Sequence, residues 1–383
     1  MKYCSKCILP DTRPNIEIDK QGICSACKNY ATRTSINWSE REKLFGEVVN
    51  EAKSKSKGYD CLIPVSGGKD STWQVIKCLE YGLTPLCVTW KPIGRTEIGQ
   101  QNLNNLIRLG VDHIDYSINP EVEKRFMLSS LKKYGSTGIP MHMAIFNIPI
   151  NLAIKLGITM VIWGENSAFE YGENSDASKG FRLDAQWFKK YGVTHGTTAE
   201  DWMNEGFSQK ELTPYFGPNL DEIEQKGVSA IFLGYYFEWD TEMTCKVAQE
   251  NGFKFEIGGA RTGSYDFADI DDDFISIHHY LKWYKFGFTR SFDNLSIEIR
   301  NGRISRNEAI TKLSQELSNR PIGDIEKFCD LVEIQKSDFF EIIERFRNSK
   351  IWTNKGNHWK IENFIIEDYD WKREFDDSVL NIL

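Results

Sequence analysis

Ser66-Gly67-Gly68-Lys69-Asp70-Ser71 carries the clearest chemistry in this chain. It follows the apolar run Cys61-Leu62-Ile63-Pro64-Val65 and leads into helix-compatible residues 72–80. The order is that of a strand, a tight loop and a helix start. Two glycines let the backbone approach an anion closely and take up unusual dihedrals. The free N–H groups and dipole of a helix start favour a phosphate at that point. Lys69 adds a mobile positive charge, and Ser66 and Ser71 supply hydroxyl donors. The loop is not a Walker A motif, which needs Gly where Ile63 stands and Ser or Thr where Asp70 stands.

A second set of spacings belongs to sulfur. Cys4 and Cys7 form one Cys-x-x-Cys pair and Cys24 and Cys27 another. Two such knuckles can close a tetrahedral thiolate site around zinc, in the spacing range of a zinc ribbon. With all four ligands from protein, that site is structural. A redox pair or an iron–sulfur cluster is the alternative for the same residues. Cys61, Cys78, Cys87, Cys245 and Cys329 stand singly and read as small buried hydrophobes.

The elements that must position these residues alternate. Residues 1–35 form the cysteine module, and a charged helix over 41–56 leads to the first strand. Further strands are expected at 86–90, 113–118, 158–163 and 228–237, and helices at 100–109, 121–134 and 141–156. Such alternation implies an α/β fold with a parallel sheet covered on both faces. Ligands then sit beyond the carboxyl ends of the strands. That rule gathers Val65, Ser66, Thr89, Trp90, Gly164, Glu165 and Asn166 around one crevice. Residues 168–227 read as a long, aromatic-rich insertion with short helices at 199–206 and 220–226, suited to covering a substrate. The central domain thus spans 36–275, and 276–383 reads as a helical region.

Composition narrows the class. The chain has 383 residues, 40% hydrophobic and 27% charged, as in a soluble globular protein. A net charge of -8 argues against broad nucleic-acid binding. No run approaches the roughly 18 uninterrupted apolar residues of a membrane span. The first residues lack a signal-peptide core, so a cytoplasmic location is expected.

The Ser-Gly-Gly-Lys-Asp-Ser loop resembles the pyrophosphate (PP) loop of ATP pyrophosphatases, which cut ATP into AMP and pyrophosphate. The loop, the cysteine module and later stretches, including the tail Ser296-Ile297-Glu298-Ile299-Arg300-Asn301-Gly302-Arg303, together resemble the N-acetyl sugar amidotransferase family of bacterial surface-polysaccharide (LPS) biosynthesis. The other stretches are Gly234-Tyr235-Tyr236-Phe237-Glu238-Trp239-Asp240, Arg261-Thr262-Gly263-Ser264-Tyr265 with Ala268-Asp269-Ile270-Asp271, and His278-His279-Tyr280-Leu281-Lys282-Trp283-Tyr284-Lys285-Phe286-Gly287-Phe288-Thr289-Arg290. The resemblance covers about residues 1–315. It implies an ATP-dependent enzyme that adenylates an acetamido oxygen on a nucleotide-linked sugar and lets ammonia displace AMP, giving an acetamidino group. It also implies a separate glutaminase as ammonia source, in keeping with the lack of a glutaminase nucleophile motif in this chain.

On this reading Ser66 to Ser71 hold the ATP phosphates. Asp70 is either a Mg2+ ligand or a helix cap. Thr89 and Trp90 border the adenosine, although core packing suits Trp90 equally. Gly164, Glu165 and Asn166 orient ATP, Mg2+ or the amide. Arg261 is the preferred cation for the charge that builds on the α-phosphate, followed by Lys285 and Arg290. Of His278 and His279, at most one is expected at the site. Residues 280–288 are either core or the wall of an ammonia passage. The competing functions are a tRNA thiolase of the PP-loop class and a non-catalytic nucleotide-binding partner protein.

Overall fold

The structure, a computed structural model, describes residues 1–164, 182–183, 196–317, 320–356 and 358–371. Strands β1 (Cys61–Pro64), β2 (Pro85–Trp90), β3 (Asp112–Tyr116), β4 (Met160–Trp163) and β6 (Ser229–Phe232) run parallel, and the two-residue β5 (Arg182–Leu183) pairs antiparallel to β6. The order across the sheet is β3-β2-β1-β4-β6-β5. From β1 the chain builds outward in one direction through β2 and β3, then returns to the other side of β1 with β4. The boundary between β1 and β4 is therefore the switch point, where crevices open at the carboxyl ends of strands.

Period-two alternation divides the strand side chains between two faces. Leu62, Leu86, Val88, Val161, Ala230 and Phe232 enter one apolar core. It includes residues of α5 (Pro120–Tyr134) and α6 (Ile139–Leu156). Cys61, Ile63, Cys87, Met160, Ile162 and Ile231 enter the other. That core is completed from α2 (Trp38–Lys55), α3 (Lys69–Glu80) and α4 (Glu97–Ile107). Strands buried on both faces explain why they read as continuous apolar runs. Helix α6 is long and apolar enough, by length and composition, to cross a membrane. Its buried side chains belong to the core on the sheet.

Some boundaries differ from expectation for local reasons. The strand expected from 158 starts at Met160, because Gly157 ends α6 in a left-handed conformation (φ +69°). The strand expected over 228–237 stops at Phe232, and a 3-10 turn over Leu233–Tyr235 bends the chain. Asp240 then caps α9 (Thr241–Glu250), accepting from the N–H groups of Glu242 and Met243. Within the insertion, α7 (Ala199–Met203) and α8 (Leu220–Lys226) are the α-helices among the described residues, with a 3-10 turn over Thr213–Tyr215 between them.

Beyond the sheet lie α10 (Ile275–Phe286), α11 (Arg290–Arg300), α12 (Arg306–Glu316), α13 (Ile322–Val332) and α14 (Lys336–Glu344). The region is not wholly helical: β7 (Trp352–Asn354) and β8 (Trp359–Ile361) form an antiparallel pair. Its core packs Trp283, Phe328, Phe339, Trp352 and Trp371. Tyr280, Tyr284 and Phe288 lie in the same core, so the aromatic run over 280–288 serves packing there. The cysteine module, which includes α1 (Ser25–Ala31), attaches to this region. Arg13 pairs with buried Asp293 at 2.7 Å, and Arg306 Nε donates to the Cys7 carbonyl at 3.0 Å.

Candidate active site

The loop after β1 is shaped for close contact. Gly67 takes φ +88°, and a Cβ there would lie 2.5 Å from the Leu103 backbone nitrogen, so only glycine fits between loop and α4. Ser66 Oγ accepts from Gly68 N at 3.1 Å. Ser71 Oγ accepts from Gly67 N at 3.2 Å and donates to the Gly68 carbonyl at 3.0 Å. These bonds fix the loop and leave the start of α3 facing the crevice. Gly68, not Asp70, occupies the cap position of α3.

Lys69 is not the exposed, mobile cation that the loop sequence suggests. It is 6% exposed, its Nζ lies 2.5 Å from Asp70 Oδ2, and it sits 5.8 Å from the centroid of the Phe267 ring. Asp70 also accepts from Thr244 Oγ1 at 3.1 Å, which ties the loop to α9.

Two cavities meet at this loop. One of about 210 Å³ is lined by Ser66, Gly68, Lys69, Asp70 and Ser71, facing Tyr265, Asp269, Asp271, Arg290 and Asn294. A larger one of about 460 Å³ runs along the strand ends past Val65, Thr89, Trp90, Gly164 and Arg95. Thr89 Oγ1 donates to the Val65 carbonyl at 2.7 Å, locking neighbouring strand ends together. Gly164 is confined, since a Cβ would stand 3.1 Å from Gln74 Oε1 and 3.2 Å from Trp239. The strand-end rule thus gathers Val65, Ser66, Thr89, Trp90 and Gly164 as expected. Glu165 and Asn166 lie outside the described residues.

On the opposite wall, Arg290 had an expected role but residues 268–272 had none. Residues 268–272 are strapped to the start of α4, where Thr96 Oγ1 donates to the Ile270 carbonyl at 2.6 Å and Thr96 N to the Asp271 carbonyl at 3.2 Å. This strap brings Asp269 and Asp271 over the phosphate loop. Burial opposes ionisation of Asp269, but Arg290 and His279 overcome it and hold the carboxyl well below its usual range. Asp271 is raised by burial. The only sequence signal for these residues was their place in the Ala268-Asp269-Ile270-Asp271 run; Arg95 gave none.

The cations sort differently from the expected ranking. Arg290 lines the phosphate-loop cavity and pairs with Asp269 at 3.2 Å. Arg261 lines only a third cavity of about 70 Å³, which Arg290 also borders, and pairs with Asp273 at 2.6 Å and Asp324 at 3.2 Å. Its charge is committed to these two carboxylates. Lys285 lines neither crevice and lies 5.6 Å from the Phe286 ring centroid; burial lowers its pKa to about 8. His279 reaches Asp269 at 3.5 Å, while Lys282 Nζ lies 3.1 Å from its Nδ1. His278 points elsewhere, into a small cavity with Glu123.

At the amino terminus the four cysteine sulfurs all lie within 4.8 Å of one another and are buried. Cys4 and Cys27 Sγ are 3.9 Å apart, and Cys7 and Cys24 Sγ are 3.6 Å apart. Four sulfurs about 2.3 Å from one centre in a tetrahedron stand about 3.8 Å apart, so the residues fit a single metal ion. Backbone N–H groups of Cys7 and Cys24 face Cys4 Sγ, and that of Cys27 faces Cys24 Sγ.

A Gly-Gly phosphate loop of this sequence, at the switch point of a parallel sheet, defines a PP-loop α/β domain, here with a four-cysteine module before it and a helical region after it. Residues 259–365 match the family described as LPS biosynthesis protein WbpG-like, C-terminal domain. That match contains Asp269, Asp271 and Arg290. No curated protein matches the chain. Solved structures with similarity include NMN synthetase from Francisella tularensis, 13% identical over 72% of this chain and 96% of that one, TM-score 0.31. The U34-tRNA thiolase NcsA from Methanococcus maripaludis, with its [4Fe-4S] cluster, is 14% identical over 87% and 89%, TM-score 0.31. A predicted subunit of tRNA methyltransferase from Methanocaldococcus jannaschii is 14% identical over 61% and 90%, TM-score 0.27. These likenesses are distant.

Proposed function

We propose that this chain is the synthetase component of an ammonia-dependent sugar amidotransferase in LPS biosynthesis, working in the cytoplasm. It would bind ATP, adenylate the acetamido oxygen of a nucleotide-linked sugar and release AMP and pyrophosphate on forming the acetamidino product. The observation that carries this reading is the apposition of a non-Walker phosphate loop, Ser66 to Ser71, with Asp269, Asp271 and Arg290 of the WbpG-like region. A loop that grips the β- and γ-phosphates leaves the α-phosphate toward the strand-end crevice, where a sugar amide has room.

In this scheme Lys69 and the start of α3 hold the departing pyrophosphate, and Arg290 stabilises charge that grows on the α-phosphate. Thr89, Trp90 and Gly164 border the adenosine. Mg2+ bound with ATP would neutralise phosphate charge. It commonly takes one or two carboxylates plus phosphate oxygens, and Asp70, Asp269 and Asp271 supply carboxylates of that kind. The sulfur separations support zinc over a cluster in the cysteine module. Ammonia would come from a partner glutaminase.

A thiolase needs an accessible thiol. All nine cysteines are buried, and burial pushes Cys245, which feels the charges of Lys69 and Asp70, up to about 11. This favours nitrogen over sulfur transfer. The test is mass spectrometry of products from ATP, ammonium and a panel of nucleotide-linked acetamido sugars. A product lighter by about one mass unit than its acetamido precursor, from exchange of oxygen for NH, supports the reading; an unchanged panel sinks it.

A further inference from the structure

Beneath the strand-end crevice lies a second, much smaller space. It has a volume of about 10 Å³, at the lower limit for one water-sized molecule. Glu123 of α5, Thr137 of the α5–α6 connection, Asp272 of the strap and His278 of α10 all line it. Each is nine-tenths or more buried: Glu123 is 3% exposed, Thr137 2%, Asp272 9% and His278 8%. Trp90, Met141, Asp272 and Ile275 line both this space and the larger crevice, so the two share a wall.

Glu123 has the Trp90 indole as a hydrogen-bond neighbour, but two of the polar atoms here stand alone. Thr137 Oγ1 and His278 Nδ1 have no hydrogen-bond partner among the described residues. Asp272 Oδ1 accepts one bond, from Phe274 N at 3.2 Å. A Cβ on Gly138 would stand 2.7 Å from His278 Nδ1, so glycine is what allows the imidazole to sit this close to the α5–α6 turn. Buried polar groups without partners are costly unless something fills the space between them.

We propose that the cavity lined by Glu123, Thr137, Asp272 and His278 binds one ammonium ion beside the ATP crevice. The inference rests on the ammonia-using reading above for its purpose, but its geometry stands alone. Burial keeps His278 neutral, so Nδ1 can accept. Two carboxyls, one imidazole nitrogen and one hydroxyl offer an acceptor set for four N–H donors. Water brings only two donors. Burial raises Glu123 to about 8 and Asp272 to about 7, each facing other carboxylates nearby. A bound cation relieves that penalty. The shared wall sets such an ion next to the place where a nucleophile is used.

The test is thermal unfolding of the full chain in ammonium chloride, against sodium, potassium and methylammonium chloride at equal ionic strength. Ammonium should raise Tm saturably by roughly 2 °C or more, as binding to the folded state requires. Potassium, of similar size but without N–H donors, and methylammonium, too large for the space, should not. Glu123→Gln and Thr137→Val should each abolish the ammonium-specific rise. An equal rise with potassium, no rise, or an unaltered rise in a folded variant overturns the site; the wild-type salt comparison decides even where a variant fails to fold. The readout needs no turnover. Ammonium binding without amidine product sinks only the proposed function, and amidine product without the shift sinks only this site.

Discussion

Arg290 Nε lies 3.2 Å from Asp269 Oδ2 across the cavity from the phosphate loop. Through this pair the helical region supplies a cation to a site whose carboxylate comes from the 268–272 strap and whose loop belongs to the sheet. Arg290→Ala should therefore lower pyrophosphate release by about 10²-fold or more while ATP binding falls less, in the way loss of a transition-state cation does. Arg261→Ala should instead keep turnover within about threefold and lower stability by about 1–2 kcal/mol, because Asp273 and Asp324 lose the cation they share while Lys327 and Ser276 remain on them. Steady-state kinetics beside thermal unfolding separates the two; equal kinetic losses would contradict the sorting of the cations.

Lys69 is held by Asp70 and buried, so its replacement touches both chemistry and fold. Lys69→Met, which keeps the buried stem, should cut turnover by about 10²-fold or more and cost about 1–2 kcal/mol. A Lys69→Met protein with turnover near wild type would remove the loop cation from the mechanism.

Much of this arrangement was legible in the sequence because the signals are local. A Gly-Gly turn between an apolar run and a helix, paired Cys-x-x-Cys knuckles and strand–helix alternation each depend on nearby residues. The strand ends Val65, Thr89, Trp90 and Gly164 followed from topology alone. What escaped was non-local. Arg261 and Arg290 are equivalent as sequence, and only the packing of α13, which places Asp324 beside Arg261, distinguishes them. The roles of Asp269 and Asp271 depend on the Thr96 strap, a contact 174 residues away in sequence for the Thr96–Ile270 bond. The burial of Lys69 escaped because Phe267 approaches it and α9 holds its partner Asp70 through Thr244, and neither adjoins the loop in the chain.

The cysteine module has a small core of its own that includes the four cysteines, Leu9 and Ile16. Metal binding must supply much of its folding free energy, about 10 kcal/mol in comparable sites. The purified protein should carry one zinc per chain by elemental analysis. Cys24→Ser should lose it and melt at a distinctly lower temperature, since the module also braces α11 and α12 through Arg13 and Arg306. Iron and sulfide in place of zinc would contradict this.

Glu123 gives a signed pH dependence. Its folded pKa of about 8 lies above the ordinary 4.5, chiefly through burial. Between those values the folded state holds a proton that the unfolded state has lost. Stability from this group is full below pH 4.5 and lost as pH rises through 8. Asp269 and Asp293 are lowered, so their contributions vanish only in acid, below this window. Buried His278 and His279 are lowered and gain stability as pH rises toward 6.5 in both proteins, so the test is the difference: in sodium buffers, the wild-type Tm should fall relative to that of Glu123→Gln from pH 5 to 8. Parallel curves would show that Glu123 does not titrate there.

The most direct test of the central claim is to identify the products of ATP during turnover with ammonium and the acceptor sugar, by 31P NMR or ion-pair chromatography. Cleavage at the α–β bond gives AMP and pyrophosphate in equal amounts, matched one to one by amidine. ADP and orthophosphate as the primary products would contradict the account.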